Sequence, residues 1–407
     1  MIMNIKKQTV LMYLYEAALA FRMVDAVWVI FLLERGFSLA QVGMAEGVYH
    51  ITSMIFEVPS GMAADLFGRK RTIMLSGVLG ICSAVFMTLD GWAGFVYCGM
   101  IFSALSLNMA SGTQEALIYD SLLEAGCEAR YKKIWANFSM TARVSSALSC
   151  ALSPAAILIG YRYTYYIMAG LYLCTIVCMS GVKEPAVTQK QRTRADHLRG
   201  ELGKRWGQHI AETGSFIRKN PKTMCKLLVN AALACPCYLI MMYLQEHLVN
   251  CGWPKNFIGI PMLVIPLAGA VGTRIAAKSE NRLAKALLVC GVISGIGTCL
   301  VGSSVLAVVL AGACLARACE GFSEIRVSEN VNRDFTSDHR ATLVSVDSML
   351  YSILMVAASP VTGILGDRYG VNVTFYLLGG TLLLAVVIAA GVWRQKNHRP
   401  GDDFIMQ

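Results

Sequence analysis

Four polar residues recur at helical spacing within one long apolar run. His50, Ser53 and Glu57 follow Glu46 by four, seven and eleven residues. In an α-helix these offsets place all four side chains in one narrow stripe. An imidazole or a carboxylate in such a stripe can take up and release protons. We therefore predict proton coupling by Glu46 and His50, with a purely structural stripe as the open alternative, and a gating role for Glu57 at the end of the run.

Ionisable residues also occur within other apolar runs, where a charge is costly unless it is paired or meets water. Arg22 and Asp25 are three residues apart near the middle of the first run and can pair; Tyr15 is predicted to share their helix face. In the fourth run, we predict that one helix face carries Asn108, Ser111 and Glu115. The residues that we predict to line a substrate cavity are Arg22, Asp25, Asn108, Glu115, Arg143, Arg317, Asp347 and Tyr351.

The composition requires an apolar solvent. The chain has 407 residues, of which 56% are hydrophobic and only 15% charged, and its mean hydropathy is +0.53. Soluble domains carry about 25% charged residues, so a lipid bilayer is the expected surroundings. The net charge of +10 comes from cations that fall mostly in alternate loops, which favours a membrane topology over a nucleic-acid partner. Most of the 14 cysteines lie inside apolar runs, so we expect no disulfide framework and no metal site.

Twelve apolar runs of about 20 residues predict twelve transmembrane helices. The first, fourth and fifth are predicted near Val10–Leu33, Gly94–Leu117 and Ile134–Ile159. The cation-rich loops place both termini and the central loop on the cytoplasmic side. The expected domains are a six-helix half at 1–183, a cytoplasmic loop at 184–222, a second six-helix half at 223–393 and a cytoplasmic tail at 394–407.

A weak internal repeat supports two similar halves. The segment from Ser153-Pro154 to Gly160 in the fifth run is echoed by the segment from Ser359-Pro360 to Gly366 in the eleventh. The predicted fold is therefore an all-α integral membrane protein with two pseudo-symmetric six-helix halves.

The loop after the second run has a distinctive spacing, Gly61-Met-Ala-Ala-Asp65-Leu-Phe-Gly68-Arg69-Lys70-Arg71. Gly61 is expected to allow close helix approach, Gly68 a positive φ, and Asp65 can pair with cations or cap a helix. The pattern resembles the signature loop between helices 2 and 3 of the major facilitator superfamily, departing from it at Leu66. The predicted gating residues are Glu57, Gly61, Asp65, Gly68, Arg69, Lys70, Arg71 and Asp120.

Two further segments resemble bacterial drug efflux members of that superfamily. They are Gln114-Glu115-Ala-Leu-Ile-Tyr119-Asp120-Ser121-Leu and Glu57-Val-Pro59-Ser-Gly61. Drug–proton antiporters often have an Arg in helix 4 and a Gly-Pro-x-x-Gly-Gly stretch in helix 5. This chain has no Arg in helix 4, and its helix 5 reads Leu152-Ser153-Pro154-Ala-Ala. These departures leave antiport and the direction of transport open.

The resemblance implies a proton-coupled transporter in the bacterial cytoplasmic (inner) membrane that works by alternating access. The expected activity is export of amphipathic organic compounds, tetracycline-like drugs included. The alternatives are proton-coupled uptake of a small polar solute, and a membrane receptor or enzyme that reuses the fold. The sequence has no nucleophile elbow, phosphate-binding loop or metal-ligand cluster, so we expect neither an enzyme nor a cofactor. The expected partners are a small-molecule substrate, protons and the lipid bilayer, and the expected state is a monomer.

Overall fold

The computed structural model describes residues 4–185, 214–279, 282–334 and 340–397. These residues form fifteen α-helices, a further helical segment at 214–219 and no β-strand, which confirms the all-α prediction. Those of the first half of the chain are α1 Ile5–Ala20, α2 Trp28–Glu34, α3 Leu39–Phe67, α4 Arg69–Thr88, α5 Gly94–Ala110, α6 Thr113–Glu124, α7 Tyr131–Ala151, α8 Ser153–Ile159 and α9 Tyr161–Ser180. Those of the second half are α10 Pro221–Asn250, α11 Gly259–Ala276, α12 Leu283–Val301, α13 Leu306–Asp334, α14 Arg340–Tyr369 and α15 Val371–Asn397.

The fifteen helices correspond to twelve predicted spans, because three of the spans are broken. Within the described ranges, nine helical stretches are long and apolar enough to cross a membrane, and α7 with α8 make a tenth. The two remaining spans are α1 with α2, which are short separately, and α3, which carries the polar stripe. The twelve-helix prediction is consistent with this arrangement.

The predicted spans 1, 4 and 5 are each interrupted within the membrane-spanning stretch. Helix 1 is interrupted between α1 and α2 by a 3-10 turn at Met23–Ala26. Helix 4 breaks before α6 at Gly112, whose φ of 71° ends regular α-helix. Helix 5 bends by 48° between α7 and α8. Its second piece begins with Pro154 in the first turn, where a missing N–H costs no hydrogen bond.

The predicted repeat does not extend to this bend. Ser153 and Pro154 begin a new helix, whereas Ser359 and Pro360 lie inside the uninterrupted α14. A proline within a helix removes one backbone hydrogen bond and often kinks the axis. The same two-residue signal therefore produces a break in one half of the chain and a continuous helix in the other.

The chain divides into two compact units, within Met1–Val27 plus Val48–Glu212 and within Trp28–Gly47 plus Thr213–Gln407. The first unit is held together by buried side chains of α1, α4, α6, α7 and α9, Tyr15 and Phe138 among them. The predicted cytoplasmic loop at 184–222 is only partly described. Residues 214–219 are helical, α10 already begins at Pro221, and the remainder at 186–213 lies outside the described residues.

The second unit includes α2 and the first third of α3. The Asp367 carboxylate accepts hydrogen bonds from the backbone N–H groups of Leu39 and Ala40, at 2.8 and 2.9 Å, and so caps α3. Further along α3, the Ser359 hydroxyl donates to the Gly43 carbonyl oxygen at 2.9 Å. Trp28–Gly47, which the sequence assigns to the first half, thus packs within the second unit.

Candidate functional site

The loop between α3 and α4 is a tight backbone turn closed by a carboxylate. Gly68 has a φ of 89°, as the sequence predicted. Glu184 accepts hydrogen bonds from the backbone N–H groups of Arg69 and Lys70 at 2.8 and 2.9 Å, and so caps α4. The Lys70 ammonium donates to the Ser180 carbonyl oxygen at 2.7 Å. The end of span 6 therefore fixes the start of span 3.

Two of the predicted gating residues form a buried ion pair. Arg69 Nη1 lies 2.6 Å from Asp120 Oδ2, and the two side chains are 14% and 8% exposed. This pair joins the first turn of α4 to α6. Arg71 is exposed on the same turn of α4, and the side chain of Asp65 lies outside the described residues.

Gly61 does not make the predicted close helix approach. Among the described residues, no atom lies within 4 Å of the position that a Cβ at Gly61 would take. The expected close helix approach there is wrong, because Gly61 sits on an open face of α3. Glu57 is half-buried one turn earlier, and its backbone carbonyl accepts a hydrogen bond from the Ser60 hydroxyl at 2.7 Å.

The two glycines of this loop provide a matched pair of substitutions. Gly68→Ala is expected to destabilise the protein by roughly 1–3 kcal/mol, since its φ and ψ of 89° and 151° lie in a region adopted almost only by glycine. An added Cβ would also stand 3.1 Å from Glu184 Oε2. Gly61→Ala should be neutral or stabilise by about 0.5–1 kcal/mol, because it is helical with open space around it. Thermal unfolding of the purified variants measures both, and equal Tm shifts would contradict this account.

Gln8 extends the contacts at this end of the first unit. Its side-chain amide donates to the Ser121 hydroxyl at 3.0 Å and to the Lys183 carbonyl oxygen at 2.9 Å. The same amide accepts from the Lys183 backbone N–H at 3.0 Å. Sequence reasoning missed both Gln8 and Glu184. Gln8 gives a weak signal, a polar residue inside the start of a span, whereas Glu184 is indistinguishable from a loop residue.

The helix 2 stripe lies on one continuous helix, α3. Glu46 and His50 are only 2% and 5% exposed, as expected of groups that cannot face lipid. Within the second unit, the Tyr238 hydroxyl donates to Glu46 Oε1 at 2.7 Å. The Tyr238 ring meets the ring of Tyr351 edge-on at 6.4 Å. Glu46 and Tyr351, predicted for different roles, are thus linked through a tyrosine that the sequence did not single out.

His50 belongs to the first unit, although it lies only one turn from Glu46 on α3. Its ring packs edge-on against the ring of Tyr49 at a centroid distance of 5.3 Å. In the same unit, Ser53 and Asn108 bond reciprocally. The Ser53 hydroxyl donates to Asn108 Oδ1 at 2.9 Å, and Asn108 Nδ2 donates to the Ser53 carbonyl at 2.7 Å. Span 2 is therefore joined to span 4 in the middle of the first unit.

Arg22 and Asp25 form the predicted pair, with Arg22 Nε at 3.1 Å from both carboxylate oxygens. The pair sits at the break in helix 1 rather than on a helix face, so Tyr15 does not share its face as predicted. The Tyr15 hydroxyl instead accepts a hydrogen bond from Gln114 Nε2 at 2.9 Å. Both members of the ion pair are partly exposed, and the pair can therefore reach solvent or a ligand.

The break in helix 4 separates polar residues that the sequence placed on one face. Ser111 lies in the break itself, and Glu115 is in the first turn of α6. Glu115 Oε1 accepts a hydrogen bond from the Tyr131 hydroxyl at 2.5 Å. The Tyr131 ring stacks on Trp135, with centroids 6.4 Å apart. Glu115 therefore lies beside an aromatic surface and not beside Asn108.

Arg143 is exposed on α7, away from its buried residues Ser145 and Ser149. Within the described ranges, its side chain makes no ion pair or hydrogen bond. An arginine in the middle of a span is costly in lipid, so the exposed guanidinium is expected to face a water-filled cavity.

The second unit holds the remaining predicted residues. Arg317 and Glu320 form an ion pair within α13. Asp347 of α14 lies near Asn230 of α10 and Glu324 of α13. Three spans of this unit, 7, 10 and 11, thus contribute polar groups to one region.

Comparison with known proteins identifies the family. The family model described as Major Facilitator Superfamily matches residues 17–322 and 238–404. The chain is 22% identical over 392 residues to the uncharacterized MFS-type transporter YxaM of Bacillus subtilis (strain 168), and the match covers 93% of this chain and 94% of that protein.

Similar solved structures share the fold at low sequence identity. The nucleoside transporter NupG is 12% identical with a TM-score of 0.78, covering 96% of this chain and 100% of its own. A D-xylose–proton symporter is 12% identical with a TM-score of 0.65, covering 95% of each chain. The family match, with the MFS-type relative and the membrane-spanning helices, shows that the chain belongs to the Major Facilitator Superfamily and is a multi-pass membrane transporter, not an enzyme.

Proposed function

We propose that this chain is a proton-coupled transporter that exports amphipathic organic compounds by alternating access. Its location would be the bacterial cytoplasmic membrane, with both termini in the cytoplasm, on the evidence of the cation-rich loops. The observation that carries the proposal is the buried Glu46 carboxylate, which accepts a hydrogen bond from the Tyr238 hydroxyl. A titratable carboxylate in a span suits proton carriage better than lipid contact.

The proton path would run through the α3 stripe. Glu46 and His50 are one helical turn apart on α3, and Glu46 bonds to Tyr238 of span 7. A tyrosine hydroxyl can donate to the carboxylate in either protonation state. A change in the position of Tyr238 during transport would therefore change the hydrogen bonding of Glu46. Glu46 and Tyr238 are far apart in the sequence but lie within the same compact unit, where their contact joins span 2 to span 7.

The substrate would meet both charged and aromatic groups in the first unit. The partly exposed Arg22–Asp25 pair and the exposed Arg143 can orient a polar or anionic group of the ligand. The stacked rings of Tyr131 and Trp135 can hold an apolar portion. Pockets with a few placed polar groups among aromatic side chains are typical of small-molecule sites.

Export is the direction favoured by the resemblance of two segments to drug efflux transporters, and growth assays test it. Expression in a host without its own efflux pumps should raise the inhibitory concentration of at least one compound in a panel that includes tetracycline and ethidium. Ethidium retained inside the cells should fall when respiration energises the membrane. Cells expressing Glu46→Gln at the same level are the control, and unchanged sensitivity across the panel would contradict export.

A second candidate, uptake of a small polar solute, is favoured by one observation. Arg22, Asp25 and Arg143 are charged groups with exposed surface in the first unit, more than a purely apolar ligand requires. Uptake predicts proton-dependent accumulation of a radiolabelled polar solute in the same cells, without drug resistance. The two candidates therefore give opposite results in the growth assay.

A further inference from the structure

Glu16 is a buried acidic residue of α1 that the transport site described above does not include. It lies one helical turn before the end of α1, and its side chain is only 8% exposed. Its Oε2 atom has no hydrogen-bond partner among the described residues. Because α1 is the first part of span 1, an ionised carboxylate at this position is costly unless it is paired or hydrated.

The surroundings of Glu16 on α7 are neutral. The Tyr13 hydroxyl donates to the Ile134 carbonyl oxygen at 3.3 Å, and the Ser145 hydroxyl donates to the Ala17 carbonyl oxygen at 2.6 Å. These two contacts with α7 lie on either side of Glu16 along α1. At this level α7 therefore presents carbonyl and hydroxyl oxygens to α1.

Arg143 is the cation of α7 that lies nearest this level, but it is on another face of the helix. It precedes Ser145 by two residues, which rotates its side chain by about 200° around α7. Since Ser145 contacts α1, Arg143 points away from α1, and its side chain is exposed. Lys132 and Lys133, the other cations of α7, are exposed at the start of that helix, roughly 18 Å along the axis from Ser145.

The helices α6 and α9 also pack against α1, and neither supplies a counter-charge. α6 contains no Lys or Arg, and its Asp120 is already paired with Arg69. The other acidic residues of α6 would only repel an ionised Glu16. The one charged residue of α9 is Arg162, at the start of that helix, where it pairs with Asp90.

The chain neighbours of Glu16 do not neutralise it either. The nearest cation along the chain is Arg22, which lies beyond the end of α1 and bonds to Asp25 at 3.1 Å. The titratable groups close by are the phenols of Tyr15 and Tyr172, which are neutral at physiological pH. Burial disfavours the charged form of a carboxyl group, and among the described residues no cation offsets that cost. The neutral, protonated form of Glu16 is therefore the one that fits this structure.

We propose that Glu16 is a second proton-binding site of this transporter, protonated in this conformation and deprotonated at another step of the transport cycle. The inference rests on the proton coupling proposed above and adds to it a site in the first unit, whereas Glu46 lies in the second. One proton at each of the two sites makes a cycle that moves two protons for each substrate molecule.

The break in helix 1 gives Glu16 a route to water. α1 ends at Ala20, four residues after Glu16, and a 3-10 turn at Met23–Ala26 follows. The side chains of Arg22 and Asp25 in this break are 28% and 55% exposed. A movement of α1 at the break would bring Glu16 towards water or towards the Arg22 guanidinium. Either would favour the ionised form and release the proton.

Infrared spectroscopy of the purified full chain in lipid tests proton binding without any transport. A protonated carboxyl group gives a C=O stretching band that an ionised carboxylate lacks. The wild type should show this band at neutral pH, and Glu16→Gln should lose the part of it that comes from Glu16. The matched control is Glu34→Gln, since Glu34 is an exposed carboxylate paired with Lys255; it should leave the band unchanged.

The number of protons moved for each substrate molecule tests the coupling role. It is measured in proteoliposomes from the pH gradient that just balances an opposing substrate gradient. Glu16→Gln should still transport against a gradient, but with one proton fewer than the wild type. A purely structural role would leave this ratio unchanged.

Two results would overturn the proposal. A band unaffected by Glu16→Gln would show that Glu16 is ionised in the wild type. A lost band with an unchanged proton ratio would show a carboxyl group that stays protonated throughout the cycle. If Glu16→Gln does not fold, Glu16→Met, of similar length and without a titratable group, decides both measurements. A wild type that moves no protons would refute the proposed coupling and the release step together, while the infrared band would still show whether Glu16 binds a proton.

Discussion

Replacing Glu46 by glutamine is expected to reduce gradient-driven transport to the background of protein-free vesicles. Glutamine keeps the size of the side chain and can still accept from the Tyr238 hydroxyl, so the helix packing at this position is preserved. What it removes is the ability to bind and release a proton. Substrate exchange without a gradient, which needs no net proton movement, should therefore continue.

The measurement uses proteoliposomes with an imposed pH gradient and whichever compound gives the strongest resistance signal. Glu34→Gln is the matched control, since Glu34 is an exposed carboxylate of the same unit that pairs with Lys255 at 3.0 Å. It should transport like the wild type. Tyr238→Phe should keep transport, because it removes the hydroxyl donor and leaves the carboxylate in place.

His50→Gln is expected to behave like Glu46→Gln if the whole stripe carries the proton. Transport against the gradient by both variants at the wild-type rate would show that the stripe is structural and that the proton path lies elsewhere. A defect in Glu46→Gln alone would confine the path to the contact with Tyr238.

The helices of this protein could be predicted from sequence because lipid imposes a simple rule. A span needs about 20 apolar residues, and such runs mark the helices whatever their packing. The breaks were harder to predict. Gly112 and Pro154 are visible signals for the breaks in helices 4 and 5, yet Pro360 in the same motif leaves α14 uninterrupted. The break in helix 1 at Phe21–Val27 contains neither glycine nor proline, so the sequence gives no comparable signal for it.

The candidate site was predictable only where a residue type has a single interpretation inside a membrane span. A charge inside a span demands a partner, so Glu46, Arg22 and Asp25 could be singled out. Their partners could not always be found. Tyr238 is one tyrosine among many in apolar runs, and Glu184 and Asp367 are acidic residues at span ends like several others. Their roles depend on which helix begins beside them, and sequence spacing within one run carries no information about that.

The second large effect is expected on stability, from breaking the buried ion pair between Arg69 and Asp120. Asp120→Asn is expected to lower the free energy of unfolding by roughly 3–5 kcal/mol, because it leaves the Arg69 guanidinium buried without a counter-charge. The substitution keeps the side-chain shape, so the loss reports the charge and not a cavity. Denaturant unfolding of the purified protein in detergent, followed by tryptophan fluorescence, measures it.

The matched control is the ion pair between Arg162 and Asp90 of the same unit, whose side chains are 54% and 52% exposed. Solvent screens that pair, so Asp90→Asn should cost only about 0–1 kcal/mol. The contrast between the two substitutions isolates burial as the cause, since each removes one carboxylate charge from an arginine partner. If Asp120→Asn costs no more than Asp90→Asn, the guanidinium of Arg69 finds water or another partner. The α4–α6 contact would then depend on the Glu184 cap and the Gln8 contacts, and the ion pair would be dispensable for stability.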